Sequence, residues 1–419
     1  MRTILSGLFI IIAFIASAQR ACVSAEYLEQ QRIQDPSISA RIAAVEKFIK
    51  VQSQSHQSNR ENAGTLIKIP VVVHVVYKTD AQNISDAQIK TQIDALNRDF
   101  RRLNADTVNT PARFKALSAD VQIEFALATA DPAGRATTGI VRKKTNVGFW
   151  TYDDKIKYSK QGGDDAWDAK SYLNMWVGNL SGLQAYTSVL GCKAELDGVV
   201  VCSNVFGTMN VLGQFNMGRT VVHEVGHWLG LKHIWGDTYC GDDLIDDTPK
   251  QGNFTSGCPN GFLSSCDNGA LGDMYMNYMD YTNDACLNLF TQGQKNRMRS
   301  MFNEGGPRNS LLSSKGLNQP WTTEAPVVVE TPAGENNQVN GSLRFYPNPA
   351  INEISVDFDF NQTWIGKRFT IVNMNGTAMM AAAINAKGQK INISALKPGM
   401  YFLEGENGNQ KVRERFVKM

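Results

Sequence analysis

The stretch from His223 to His233 reads HEVGHWLGLKH, and it decides how the rest of the sequence is interpreted. Residues four apart on a helix share a face, so His223 and His227 are expected to bind one Zn²⁺ through their ring nitrogens. Gly230 can adopt a positive φ without a clash at Cβ, which allows a turn that returns His233 as a third ligand. Glu224 would take a proton from a metal-bound water. Three protein ligands leave one coordination position open, as in catalytic zinc sites.

This extended motif is more specific than its first half. The short pattern HExxH arises by chance in helices, whereas HExxHxxGxxH fixes five positions. The chain has 5 histidines, and three of them lie in this stretch. The alternative is a buried helix whose histidines only form hydrogen bonds in the core. The pattern favours a metal centre.

Length and composition indicate several domains of a soluble, globular type. The chain has 419 residues, of which 42% are hydrophobic and 20% charged, and its net charge is +2. This length exceeds that of one ordinary domain. Near-neutral charge and the lack of a long basic run predict no nucleic-acid partner.

The N-terminus predicts export. Arg2 precedes an apolar run from Ile4 to Ile15 and the small residues Ala16–Ala18, the pattern of a signal peptide over residues 1–18. A membrane anchor is the alternative, but the run is too short to span a bilayer, and no transmembrane segment is expected. A lipoprotein would use Cys22, but the residues before it lack the small apolar character that such a signal needs. Export makes disulfides permissible.

Seven cysteines divide into a cluster and an outlier. Cys22 stands near the mature N-terminus, and the other six surround the histidine motif: Cys192, Cys202, Cys240, Cys258, Cys266 and Cys286. An even cluster with one odd thiol predicts three disulfides and one free cysteine. The spacing alone does not fix the pairing.

The remaining pattern predicts an α+β catalytic region and a small β-sandwich. Apolar, β-branched runs predict strands at 67–77, 121–127, 172–177 and 197–201, and His74 in the first of them is expected to be a core residue. Ser85 with Gln88 opens a helix whose apolar face extends to Leu103. Short strands with turns between them follow residue 343. The predicted segments are a signal peptide (1–18), a pro-segment (19–60), a catalytic domain (61–318), a linker (319–340) and a C-terminal domain (341–419).

Acidic residues follow the histidine motif. Asp242, Asp243, Asp246 and Asp247 precede Thr248. Oxygen ligands at this density suit Ca²⁺, and a solvated acidic loop is the equal alternative. A helix from about residue 291 to 302 is expected to end the catalytic domain.

Several short segments resemble the pappalysin family of metzincin metallopeptidases. They are Gly218-Arg219-Thr220 before the zinc motif, Trp235-Gly236-Asp237 after it, and Tyr278-Met279-Asp280-Tyr281. The resemblance covers residues 67–302. It implies a mixed sheet, an active-site helix and a Met-turn, with one catalytic zinc held by His223, His227 and His233. It also implies that Glu224 is the general base and acid, that Met279 forms an apolar floor under the zinc, and that Tyr281 stabilises the oxyanion.

The same resemblance implies further residue roles. Its disulfides correspond to Cys240 with Cys266 and Cys258 with Cys286, which leaves Cys192 to pair with Cys202. Its calcium-binding loop corresponds to Asp243, Asp247 and Thr248. Asp284 is a candidate floor for a pocket that takes basic side chains, with a solvated loop residue as the alternative.

The N-terminal segment resembles a pro-segment with a cysteine switch. In Arg20-Ala21-Cys22 the thiolate would occupy the open zinc position until the segment is removed. An unpaired bystander thiol is the alternative. Cleavage near Asn59-Arg60-Glu61 would fit the basic preference of relatives.

The C-terminal domain resembles the type A sorting domain of the type IX secretion system. The segments that carry this are Tyr346-Pro347-Asn348-Pro349, Leu396 to Tyr401, and Lys418. Together, the resemblances imply a secreted, monomeric zinc endopeptidase made as a latent precursor, with protein or peptide substrates and the type IX machinery as partners. The alternatives are a surface-exposed binding or adhesion protein on an inactive metalloprotease fold, and a zinc-stabilised structural domain.

Overall fold

A computed structural model describes residues 22–54, 64–211, 213–322, 344–346, 350–357, 366–373, 377–385, 389–407 and 410–418. The predicted signal peptide, the residues around Arg60 and most of the predicted linker lie outside these ranges. The chain forms two compact units, Met1–Val327 and Val328–Met419. No described helix is long and apolar enough to cross a membrane.

The first unit contains a mixed sheet of six strands, as predicted. They are β1 (Ile67–Tyr77), β2 (Ile123–Leu127), β3 (Ile140–Lys144), β4 (Leu173–Gly178), β5 (Ala185–Thr187) and β6 (Val199–Cys202). Strand β1 pairs in parallel with β4 on one edge, while β2 and β3 share its other edge. Strand β6 continues the sheet in parallel beyond β4, and β5 closes it in the antiparallel sense. The long β-branched run of β1 suits this central, buried position.

The α-helices among the described residues of this unit are α1 (Ser24–Gln34), α2 (Ile38–Gln54), α3 (Asp86–Phe100), α4 (Ala112–Lys115), α5 (Arg219–Trp228) and α6 (Gln292–Ser300). Helix α3 packs on β2 and on α5, and α5 also packs on β5 and β6. Ser85 caps α3 by accepting a hydrogen bond from Gln88 N. The helix ends at Phe100, so the prediction that Leu103 belongs to its apolar face is wrong; Leu103 is exposed.

The segment from α5 to α6 contains no strand and one short 3₁₀ turn among its described residues, Asp284–Cys286. Disulfides Cys240–Cys266 and Cys258–Cys286 cross-link it, in the pairing that the resemblance implies. Other 3₁₀ turns of the first unit are Asp80–Gln82, Ala105–Asn109, Lys155–Lys157, Ser159–Gln161, Ala194–Leu196 and Asn309–Ser313.

The prediction that Cys192 pairs with Cys202 is wrong, because neither forms a disulfide. The antiparallel register of β5 and β6 explains this. Cys202 N donates to Gln184 O just before β5 begins, whereas Cys192 follows the opposite end of that strand. Burial raises the pKa of Cys192 to about 12, so its thiol stays protonated and unreactive at neutral pH.

The second unit is a β-sandwich of two antiparallel sheets. Its strands are β7 (Arg344–Tyr346), β8 (Glu353–Asp357), β9 (Lys367–Asn373), β10 (Ala378–Ile384), β11 (Gln389–Asn392), β12 (Gly399–Asn407) and β13 (Gln410–Lys418). One sheet has the order β11-β8-β7, and the other has the order β10-β9-β12-β13. Ile354, Phe369 and Leu403 are among the residues of its own hydrophobic core. The α+β region followed by a β-sandwich matches the predicted fold class.

Candidate metal centre

Three histidines converge at the end of α5. The helix carries His223 and His227 one turn apart, and Gly230, with φ 89°, turns the chain so that His233 returns to them. The Nε2 atom of His227 lies 3.1 Å from the Nε2 atoms of both His223 and His233. Two ring nitrogens bound to one tetrahedral Zn²⁺ at about 2.0–2.1 Å would be about 3.3 Å apart. The spacing therefore fits a single zinc ion.

Each histidine also has an acceptor that fixes its proton. The Nδ1 atoms face Tyr278 O at 2.8 Å for His223, Leu231 O at 2.9 Å for His227, and a carboxylate oxygen of Asp237 for His233. A proton on Nδ1 leaves the lone pair on Nε2, the form that binds a metal. Burial, and then the neighbouring His233, lowers the pKa of His227 to about 3, so its ring is neutral. The three Nε2 lone pairs converge on one point, and a bound cation would relieve their mutual repulsion.

Glu224 lies beside this cluster and is fully buried. The hydroxyl of Thr187, on β5, is 2.6 Å from Glu224 Oε2 and 2.8 Å from Glu224 O. Because α5 packs on β5, the helix that carries two of the histidines also holds this carboxylate against the sheet edge.

A turn within the loop that Cys258–Cys286 closes places Met279 and Tyr281 under and beside the histidines. Met279 is buried against α5, and a Cβ on Gly226 would lie only 2.6 Å from its Sδ atom. The ring centre of Tyr281 is 5.0 Å from that of His233. Burial, followed by Cys22 and Glu224, raises the pKa of Tyr281, so its hydroxyl remains a donor.

Cys22 also reaches the cluster. Its Sγ atom and the ligand atoms of the three histidines all lie within 4.8 Å of one another. Its backbone forms a parallel bridge with Ala185 of β5, and its carbonyl accepts a 2.9 Å hydrogen bond from Tyr281 Oη. Cys22 is therefore a fourth potential ligand, although it lies far from the histidines in the sequence.

The three predicted calcium ligands fall into two groups, a bonded pair and a residue that caps a helix. The Asp243 carboxylate accepts a hydrogen bond from Thr248 Oγ1 at 2.8 Å, and burial raises its pKa to about 7. Asp247 instead accepts hydrogen bonds from Thr291 Oγ1 and Gly293 N at the start of α6. Asp243 and Thr248 are thus neighbours, while Asp247 caps a helix.

Asp284 lies at the opposite end of α5 from His227. Its side chain is fully buried, and its Oδ2 atom accepts hydrogen bonds from Met217 N at 2.8 Å and Arg219 N at 3.1 Å. The solvated alternative does not hold in this structure. His74 is also a core residue, as predicted, with its ring between Asp164 and Asn174.

Sequence reasoning missed three residues of the site. Thr187 carries no local pattern that marks it, and Asp280 lies in a segment that the resemblance used without giving this residue a role. Asp237 belongs to a segment that the resemblance used, but its role depends on positive φ at Gly236 and at Asp237 itself, which turns its carboxylate toward His233. A carboxylate acceptor a few residues from the third histidine was the signal to look for.

Two family profiles match the chain. Residues 156–303 match the peptidase M43 profile described as pregnancy-associated plasma protein-A. Residues 344–419 match the secretion system C-terminal sorting domain. The sorting domain directs export through the type IX system to the cell surface or the extracellular space.

Curated relatives include extracellular metalloproteases of fungi. One from Pyricularia oryzae is 33% identical over 247 residues, which covers 56% of this chain and 75% of the relative. One from Verticillium alfalfae is 32% identical over 276 residues, which covers 63% and 86%.

Solved structures of mirolysin from Tannerella forsythia are also similar. Mature mirolysin in complex with a cleaved peptide is 48% identical with a TM-score of 0.58, and the match covers 59% of this chain and 96% of that one. A promirolysin mutant is 45% identical with a TM-score of 0.65, covering 70% and 97%. The match to these proteins extends over the metal centre and supports a secreted metalloendopeptidase. The chain belongs to the pappalysin (peptidase M43) family of zinc metalloproteases.

Proposed function

We propose that this chain is a latent zinc endopeptidase in which Glu224 acts as general base and acid and Cys22 blocks the open zinc position. The observation that carries the proposal is the convergence of three Nε2 atoms and Cys22 Sγ beside a buried glutamate. A zinc site that was purely structural would have no use for this glutamate.

The chain's own residues supply the proton transfers. Bound zinc would acidify the attacking water and polarise the scissile carbonyl. Glu224 takes the proton of that water and later passes it to the nitrogen of the leaving amine. Tyr281, released from the carbonyl of Cys22 when the pro-segment departs, donates its hydroxyl hydrogen bond to the developing oxyanion. Met279 keeps the floor of the site apolar.

Latency rests on the contacts of α1 and α2 with the rest of the first unit. Tyr27 Oη and Gln31 Nε2 donate to Asp154 Oδ2 at 2.8 and 3.1 Å. Glu46 on α2 pairs with the buried Arg297 on α6 at 2.5 Å. These anchors hold Cys22 at the metal centre, and we propose that cleavage near Arg60 begins their release.

The proposed preference for basic residues beside the cleaved bond rests on local charge. Asp284 lies near a buried group in which Arg219 pairs with Asp99 and Asp106, while Arg98 pairs with Asp99. Asp284 adds a third carboxylate to this group near the start of α5.

Ca²⁺ is proposed as a second, structural ion. Asp243 and Thr248 would be its ligands together with backbone carbonyls, and Asp247 would support the same loop from the start of α6. We propose a monomer as the working form of the enzyme.

The test compares zinc-loaded, full-length Cys22→Ala chains with and without Glu224→Ala, on casein and on a proteome-derived peptide library. The variant should keep its zinc and lose at least about 100-fold in kcat, because the general base is gone. Glu195→Ala, at an exposed position, is the matched control. The library reports whether Lys and Arg are enriched beside the cut, and melting temperatures with and without Ca²⁺ test the second ion. If folded, zinc-bound chain cleaves nothing even after removal of Cys22 by substitution, a binding protein on an inactive fold replaces this proposal.

A further inference from the structure

We infer that Thr187 is a positioning residue that holds the carboxylate of Glu224 in its working orientation. This deepens the proposed function and rests on it. The Thr187 hydroxyl is 2.6 Å from Glu224 Oε2 and 2.8 Å from Glu224 O, and both side chains are at least nine-tenths buried. One hydroxyl therefore spans the side chain and the backbone of the same residue.

The backbone of Thr187 is itself fixed on both sides. It pairs with Val199 at the last rung between β5 and β6. The next residue, Ser188, bonds through its hydroxyl to Asp197 and to Gly198 N. Asp197 in turn accepts a 3.0 Å hydrogen bond from Trp228 Nε1 at the end of α5. The strand end and the metal-binding helix are thus tied together at two points, and Thr187 cannot drift from Glu224 without breaking this network.

Side chains alternate along β5, and the side chain of Thr187 faces Glu224 on α5. Tyr186 packs against Tyr27 of α1, with ring centres 5.0 Å apart, whereas Thr187 contacts α5. Both hydrogen bonds of the Thr187 hydroxyl go to atoms of Glu224 on α5, so departure of the pro-segment removes neither acceptor.

A hydroxyl suits this position better than any apolar group of the same shape. It can donate one proton and accept another, so it can hold the carboxyl both before and after Glu224 takes a proton in turnover. Without it, the long Glu224 side chain would gain rotamers within the site. A displacement of about 1 Å in a reacting group can lower a rate by about 100-fold.

The test is Thr187→Val, which keeps the shape and removes the hydroxyl, with Thr187→Ser to restore it. We expect Thr187→Val to lower kcat by about 10- to 100-fold with KM within about twofold, at unchanged zinc content. Its melting temperature should fall by a few degrees, because buried acceptors of Glu224 lose a donor. Thr187→Ser should stay within about threefold of the parent. Thr220→Val removes another buried hydroxyl, on α5 itself, and should leave kcat unchanged. All variants are made in the full-length chain and activated identically.

A crystal structure of metal-free Thr187→Val supplies a readout that does not depend on turnover, and we expect the Glu224 carboxylate to leave its parental position. An unchanged carboxylate, a kcat within about threefold of the parent, or equal losses in the Val and Ser variants would overturn the inference while the proposed function stands. A parent chain without any peptidase activity would instead overturn the proposed function, and with it this inference. If the Val variant does not fold, the Ser and Ala variants carry the same comparison.

Discussion

Hydrogen bonds to backbone carbonyls decide the chemical form of individual residues in this centre. Tyr278 O and Leu231 O fix the protons of His223 and His227 on Nδ1, which leaves both Nε2 atoms free to bind a metal. A neighbouring residue, Asp280, decides the position of Tyr281 in a similar way. Its carboxylate accepts 2.7 Å hydrogen bonds from Thr255 N, Tyr281 N and Gln251 Nε2.

Asp280 should make stability depend on pH. Burial raises its pKa from 3.8 to about 6. The folded chain therefore holds the Asp280 proton to a higher pH than the unfolded chain does. The stabilisation that this proton contributes to the folded state is complete below pH 3.8 and is lost as the pH rises through about 6. Asp280→Asn has no such proton. The parent loses this contribution as the pH rises, whereas the variant does not. The free energy of unfolding of Asp280→Asn minus that of the parent should therefore rise by about 1 kcal/mol from pH 5 to pH 8.

Denaturant unfolding in the Glu224→Ala background, which cannot digest itself, measures this difference. Asp242→Asn, at an exposed position, is the control. A difference between variant and parent that stays constant over the pH range would contradict the role of Asp280.

At the scale of elements, strand β5 connects the metal helix to the N-terminal helices. Among the described strands β5 pairs with β6 alone and so forms one edge of the sheet. The backbone of Cys22 adds to that edge at Ala185. An extended chain can pair with such an edge through its main chain, as peptides do in other complexes. The pro-segment thus occupies an edge that a substrate could use.

Tyr27→Phe should loosen α1. The change leaves the buried Asp154 carboxylate short of one donor, which costs about 1–3 kcal/mol. In the Glu224→Ala background, amide hydrogen exchange of residues 24–34 should therefore become about tenfold faster. Tyr239→Phe, at a mostly exposed tyrosine, should change nothing. Equal exchange in both variants would mean that the Asp154 contact does not anchor the helix.

At the scale of the whole molecule, the metal centre and the N-terminal helices belong to the first unit, while the sorting domain has its own core. The first unit therefore contains both the proposed inhibitor and the site that it blocks. Cys22 precedes His223 by some two hundred positions, yet the two residues contribute to one group of ligand atoms.

Cys22→Ala should abolish latency. Without the thiol, the full-length, zinc-loaded chain should cleave a quenched peptide from the first seconds, whereas the parent should show a lag until its pro-segment is removed. Cys192→Ala removes a thiol outside the centre and should keep the lag. A parent without a lag would show that Cys22 does not block the site.

Features that depend on residues close together in the chain could be predicted from the sequence. Helical spacing places His223 beside His227 whatever surrounds them, and the turn at Gly230 needs only a residue that tolerates positive φ. The β-branched run at 67–77 likewise predicts a buried strand, because both faces of that strand are apolar.

Contacts between residues far apart in the chain depend on the fold and could not be predicted from local patterns. Register between β5 and β6 keeps Cys192 away from Cys202, and packing of α5 on β5 brings Thr187 to Glu224. Burial of Asp284 at the start of α5 depends on how the disulfide-bonded loop returns to that helix. Local patterns reflect backbone hydrogen bonds within a few residues, whereas these contacts arise from how side chains pack between elements far apart in the chain.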